Sequence, residues 1–166
     1  MMTDTQLLAE VTAFLNHEAR LLDAQQWHDW LDLYCGDAVF WAPATRMEGG
    51  YTSDPELELN LIYMKGRAGL EDRVFRLGTQ LSLASTPLPR TRHFLSLIAI
   101  DSASATEVEV FANWQVVWYG ELRGQQIRAG SYEYVLRRTD EGLRIARKKI
   151  LLLESEIDGY FDFYGV

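Results

Sequence analysis

The sequence has a single cysteine, Cys35, and three histidines, His17, His28 and His93, in 166 residues. One thiol excludes an intramolecular disulfide and any cluster held by several thiolates of this chain. No two histidines share a helical turn or a metal-binding hairpin spacing, so a self-contained metal site is not expected. Phosphate loops, dinucleotide GxGxxG turns and GxSxG elbows are also missing, which removes phosphoryl transfer, hydride transfer and serine-esterase chemistry. No apolar run approaches the roughly 20 residues that span a bilayer, and MMTDTQLLAE has no basic stretch before an apolar one. Basic charge is scarce too: net charge is -8, with eleven acidic and two basic residues in positions 1–60. Such a field repels phosphate, so neither nucleic acid nor anionic membrane is expected as a partner, while the single cysteine fits a reducing, cytoplasmic location.

What remains is apolar and aromatic. At 48% hydrophobic residues, the chain is long enough for one well-buried core and short for two, so residues 1–166 are read as a single domain. Leu7, Leu8, Val11, Phe14, Leu15, Ala19 and Leu22 recur at helical spacing and give a helix from Thr5 to about Leu22. A second, short helix spans Gln26–Tyr34 and breaks at Cys35-Gly36-Asp37. A strand follows at Ala38–Ala42, then an exposed, mobile loop through TRMEGGYTSDP, a strand at Glu56–Tyr63 and a helix at Gly66–Gly78. Beyond Pro89 the period changes to two over Thr91–Asp101, Thr106–Tyr119, Gln125–Arg138 and Leu143–Glu154, joined by turn-like connections. Helices ahead of a four-strand meander indicate an α+β fold with the helices laid on one face of a mostly antiparallel sheet.

Several residue sets invite a functional reading. Tyr34, Asp37 and His93, with Asn113, could surround an apolar pocket that shifts their pKa values, as in a free-standing isomerase or dehydratase. A bare small-ligand binding module is a further alternative. The strand Phe111–Tyr119 puts Trp114 and Trp118 on one face and Phe111, Val117 and Tyr119 on the other, so one of two covers is expected: a neighbouring subunit, or the chain's own helices and tail. The tail Ile157–Val166, with Tyr160 and Phe163, is too aromatic for a solvated end. Arg144, Arg147, Lys148 and Lys149 form a basic segment open to solvation or to pairing across an interface.

Three blocks carry a resemblance: EARLLDAQQWHDWLDLYCGDAVFWAP (Glu18–Pro43), LIYMKGRAGLEDRVFRL (Leu61–Leu77) and RTRHF (Arg90–Phe94). In order and spacing they resemble the small, β subunit of bacterial aromatic-ring-hydroxylating dioxygenases, in the benzoate, toluate and anthranilate branch. The resemblance implies an NTF2-like cone and an α3β3 hexamer built on a β trimer. The Rieske 2Fe-2S cluster and mononuclear iron are then expected in the α subunit, with no cofactor in this chain. It carries no catalytic motif, so no catalytic residue is transferred. Arg67, Arg73 and Arg76, with Glu71 and Asp72, become a helix surface able to pair between subunits. With Trp114, Trp118, Arg147, Tyr160 and Phe163, the three arginines complete the interface candidates.

Overall fold

The computed structural model describes residues 3–79, 87–157 and 161–166. Helix α1 (Asp4–Asp23) starts at a capping box in which Thr3 and Gln6 satisfy each other's backbone amides, and it buries Leu7, Val11, Leu15, Leu21 and Leu22. Helix α2 (Trp27–Leu31) is shorter than the aromatic spacing suggests. Strand β1 (Tyr34–Pro43) takes over early because Tyr34 pairs in parallel with Ile145; a register shift before Val39 absorbs Gly36 and Asp37. Tertiary pairing thus overrides a local breaker signal.

Strand β2 (Asn60–Lys65) also starts later than expected. The alternating residues before it form a turn, with Asp54 Oδ1 accepting from the amides of Glu56 and Leu57, so Leu57 and Leu59 stand in solvent. The preceding loop is clamped by Glu58. Its carboxylate accepts from Arg46 at 2.6 Å and from the amides of Ser53 (2.6 Å) and Asp54 (2.8 Å). Gly66 then turns the chain at φ +88°, a left-handed conformation costly for other residues, into α3 (Arg67–Gly78), which buries Leu70, Val74 and Leu77.

The meander follows the period-two reading closely: β3 (Arg90–Ala103), β4 (Glu107–Gly120), β5 (Gly124–Thr139) and β6 (Gly142–Leu152). With the first two strands they form one six-stranded sheet in the order β2-β1-β6-β5-β4-β3, in which β1 and β6 alone run parallel. Edge strand β3 is interrupted between Ser96 and Ala99, where Leu97 takes φ +49°. The helices cover the inner face of the sheet. Trp30, Phe40, Trp114, Tyr132, Tyr134, Ile145 and Ile150 are buried there in one continuous core.

The tail returns to its own fold. Phe163 is fully buried and stacks on Trp30 at 4.7 Å between centroids, while Asp162 accepts from the Phe163 amide and pairs with Arg73 at 3.0 Å. Tyr160 lies outside the described residues.

Candidate functional site inside the cone

Helix α1 carries a carboxylate on its apolar stripe. Glu18 sits three residues after Leu15 and four before Leu22, so the same periodicity that buries those leucines buries Glu18 to 2% exposure. A lone buried carboxylate would lose its charge, but this one is surrounded by donors. Lys148 Nζ donates to Oε1 at 2.9 Å, Tyr34 Oη to Oε1 at 2.7 Å, Trp30 Nε1 to Oε1 at 3.3 Å and Tyr134 Oη to Oε2 at 2.8 Å. Burial pushes the Glu18 pKa up; the Lys148 ammonium and the phenol hydrogen bonds outweigh it, and the group is held below the ordinary glutamate value. Burial and the neighbouring carboxylate push the Tyr34 and Tyr134 phenols well above the ordinary tyrosine value. Lys148 lies on β6 opposite Tyr134 and within 4.4 Å of the Tyr132 ring centroid.

A second polar set closes the C-terminal end of α1. Asp23 Oδ1 meets His93 Nδ1 at 2.6 Å and accepts from Thr91 Oγ1 at 2.9 Å, and Oδ2 accepts from the His93 amide at 3.0 Å. These contacts pin edge strand β3 to the helix. Burial raises the Asp23 pKa, yet the hydrogen bonds from His93 and Thr91 leave it below the ordinary aspartate value.

The acid–base trio is divided between three environments. The Tyr34 hydroxyl belongs to the Glu18 network and His93 to Asp23, whereas Asp37 is exposed and pairs with Arg137 at 2.8 Å. Asp37 borders a crevice of about 450 Å3 whose rim includes Cys35, Arg67, Arg137 and Arg144. Arg67 is committed to Asp32 and Glu71, and Arg144 to Glu141. Asn113 lines a different cleft, on the outer face of the sheet.

The interface candidates divide similarly. Trp114 and Trp118 point into the cone, 2% and 7% exposed, and Phe163 is in the core. Arg73 is held by Asp162, whereas Arg76 and Arg147 are exposed. In the basic segment of β6, Lys148 turns inward and Lys149 pairs with Glu133 at 3.0 Å, which leaves Arg147 facing outward. Sequence reasoning missed Glu18 and Lys148. Their signal was positional: a charge on the line of a helical apolar stripe and another at an inward place in an alternating strand.

A curved, mostly antiparallel sheet closed on one face by N-terminal helices, with polar groups gathered inside, defines the NTF2-like α+β cone. The family model described as ring hydroxylating beta subunit matches residues 17–159, and the chain belongs to that family. It is 36% identical over 163 residues to the benzoate 1,2-dioxygenase subunit beta of Acinetobacter baylyi, covering 98% of this chain and 96% of that protein. It is 38% identical over 157 residues to the 2-halobenzoate 1,2-dioxygenase small subunit of Burkholderia cepacia, covering 95% and 94%. The crystal structure of the beta subunit of benzoate 1,2-dioxygenase from Burkholderia mallei superposes with a TM-score of 0.78 at 35% identity, covering each chain fully.

A Rieske centre needs two cysteines and two histidines, and a mononuclear iron needs two histidines and a carboxylate. Cys35 stands alone, His93 is tied to Asp23, and His17 and His28 are exposed at separate places on α1 and α2. The residues present do not fit either group.

Proposed function

We propose that this chain is the non-catalytic β subunit of a Rieske-type dioxygenase that acts on an aromatic carboxylate of the benzoate class. The holoenzyme uses O2 and NADH-derived electrons to form a cis-dihydrodiol, and both metal centres belong to the α subunit. The chain holds α subunits so that electrons pass from the cluster of one to the iron of the next. The observation carrying this reading is the match to benzoate-type β subunits over essentially the full length of both chains.

The proposed assembly is a cytoplasmic α3β3 hexamer built on a β trimer. The outer face of the sheet supports self-association: Phe94 is 56% and Leu153 79% exposed around a cleft of about 460 Å3 that also presents Ser96, Asn113, Gln115 and Ser131. Those hydroxyl and amide side chains are uncharged and suit a second copy of the same surface better than a charged partner. Arg76 and Arg147 remain available for the α subunit. The test is the mass in solution of the chain alone and after co-expression with a Rieske large subunit. The expected results are a trimer alone and a hexamer together, with Phe94→Asp giving a monomer. A wild-type monomer that ignores large subunits, or one iron retained per isolated chain, would overturn the reading.

A further inference from the structure

We propose that an apolar projection made by Met47, Leu57 and Leu59 is the second half of the contact between copies of this chain, and that it seats in the outer-face cleft of the neighbouring copy. The inference rests on the proposed β trimer. A closed ring of three repeats one heterologous contact, to which each copy brings two different patches. The outer cleft can meet its own counterparts only at the three-fold axis, so each copy needs a further patch to fill the cleft beside it.

The fold leaves a suitable patch in solvent. Met47 is fully exposed, Leu57 85% and Leu59 81%. Single exposed leucines are ordinary, but these three side chains stand together. Glu58 lies between the two leucines, and its carboxylate holds Arg46, the neighbour of Met47, at 2.6 Å. The projection is also stiff. Thr45 bridges Tyr51 across a turn in which the Arg46 amide donates to the Gly50 carbonyl at 2.9 Å. Thr52 Oγ1 donates to the Leu59 carbonyl at 2.9 Å, and Asn60 Nδ2 to the carbonyls of Pro55 and Glu58 at 2.8 and 3.1 Å. Side chains carried on a fixed backbone pay little further ordering entropy on binding.

Continuity and chemistry both favour a second copy as the occupant. Tyr51, in the loop that carries Met47, donates its hydroxyl to the Leu152 carbonyl and lines the outer cleft beside Leu153. Projection and cleft therefore adjoin on one copy, and around a three-fold axis adjoining patches of one copy are brought against those of the next. The cleft presents Phe94, Phe111 and Leu153, and none of its described lining residues is acidic or basic, so apolar side chains enter it without stripping water from a charge. Phe75, also exposed, sits instead on α3 beside Glu71 and Asp72.

The test is sedimentation of the full-length chain and its variants over a range of concentrations, with thermal unfolding as the control for folding. In the double variant Leu57→Asp with Leu59→Asp the mass should fall three-fold, to that of the 19.1 kDa chain, at an unchanged thermal midpoint because both side chains already stand in solvent. Met47→Asp gives the same readout if the double variant fails to fold. Mixed with Phe94→Asp, which keeps its projection and spoils its cleft, the double variant should form a dimer that grows no further, because one sound projection then meets one sound cleft. A wild-type monomer would overturn the trimer and this pairing together. A trimer that survives the double substitution, or a mixture that stays monomeric, would overturn the pairing alone. Survival of the trimer with loss of assembly with a Rieske large subunit would assign the projection to that subunit and overturn it as well.

Discussion

Replacing Lys148 with Met keeps the side-chain volume and removes the charge that compensates Glu18. In the native interior that carboxylate has an ammonium at 2.9 Å and three neutral donors; in the variant only Tyr34, Tyr134 and Trp30 remain. Breaking a buried pair from one side costs about 3–5 kcal/mol, a large part of the roughly 5–15 kcal/mol that holds a domain folded. For a chain of this length the thermal midpoint should fall by roughly 6–20 °C. The pH dependence is the sharper signature. With Lys148 present, Glu18 is depressed, so its contribution is complete above about pH 4.5 and is lost as acid protonates it. Without Lys148, burial is the dominant influence and the folded-state pKa rises above the unfolded one. The variant should then regain stability as pH falls from neutral toward about 4.5, opposite in sign to the native chain. Urea denaturation of both proteins at neutral pH and near pH 5.5 measures this. A Lys148→Met loss below about 1 kcal/mol at neutral pH, and equal at the lower pH, would refute the reading of the network as a compensated charge.

Three further outcomes follow from the packing. Phe163→Ala removes a fully buried ring stacked on Trp30 and should cost about 3–5 kcal/mol, read as a lowered denaturation midpoint together with proteolytic release of the tail. Glu58→Gln should open the loop from Arg46 to Glu58 to limited proteolysis at neutral pH and leave the global unfolding midpoint unchanged. In the native chain Arg46 and the amides of Asp54 and Ser53 pull the Glu58 pKa down to about 2, so the same loop should open only as pH falls toward that value. Native stability should be flat from neutral pH to about 4.5 and then decline, because Glu18 and Asp23 are both depressed and each loses its contribution on protonation.

The parts of the fold that were legible in the sequence are those whose periodicity is set locally. Helix α1, helix α3 and the four-strand meander each carry a continuous apolar stripe or alternation, and each appears within a few residues of its expected bounds. Boundaries failed where partners distant in sequence decide. Cys35-Gly36-Asp37 reads as a break, yet Ile145 draws Tyr34 into the sheet; the alternation at residues 56–59 reads as strand, yet Asp54 and Glu58 fold it into a turn. The interior polar network was hidden for the same reason. Glu18 and Lys148 are 130 residues apart, and each alone looks like an ordinary surface charge. Composition left two covers open for Phe163, a neighbour or this chain, and only the fold shows it stacked on Trp30.

The central claim is that the chain contributes position rather than proton transfer, and turnover per iron in the assembled dioxygenase tests it most directly. Complexes carrying Asp37→Asn or His93→Asn, purified at native stoichiometry, should turn over within roughly two-fold of the native complex, whereas loss of a general base would cost about 100-fold or more. A loss of that larger size in an intact complex would contradict the account.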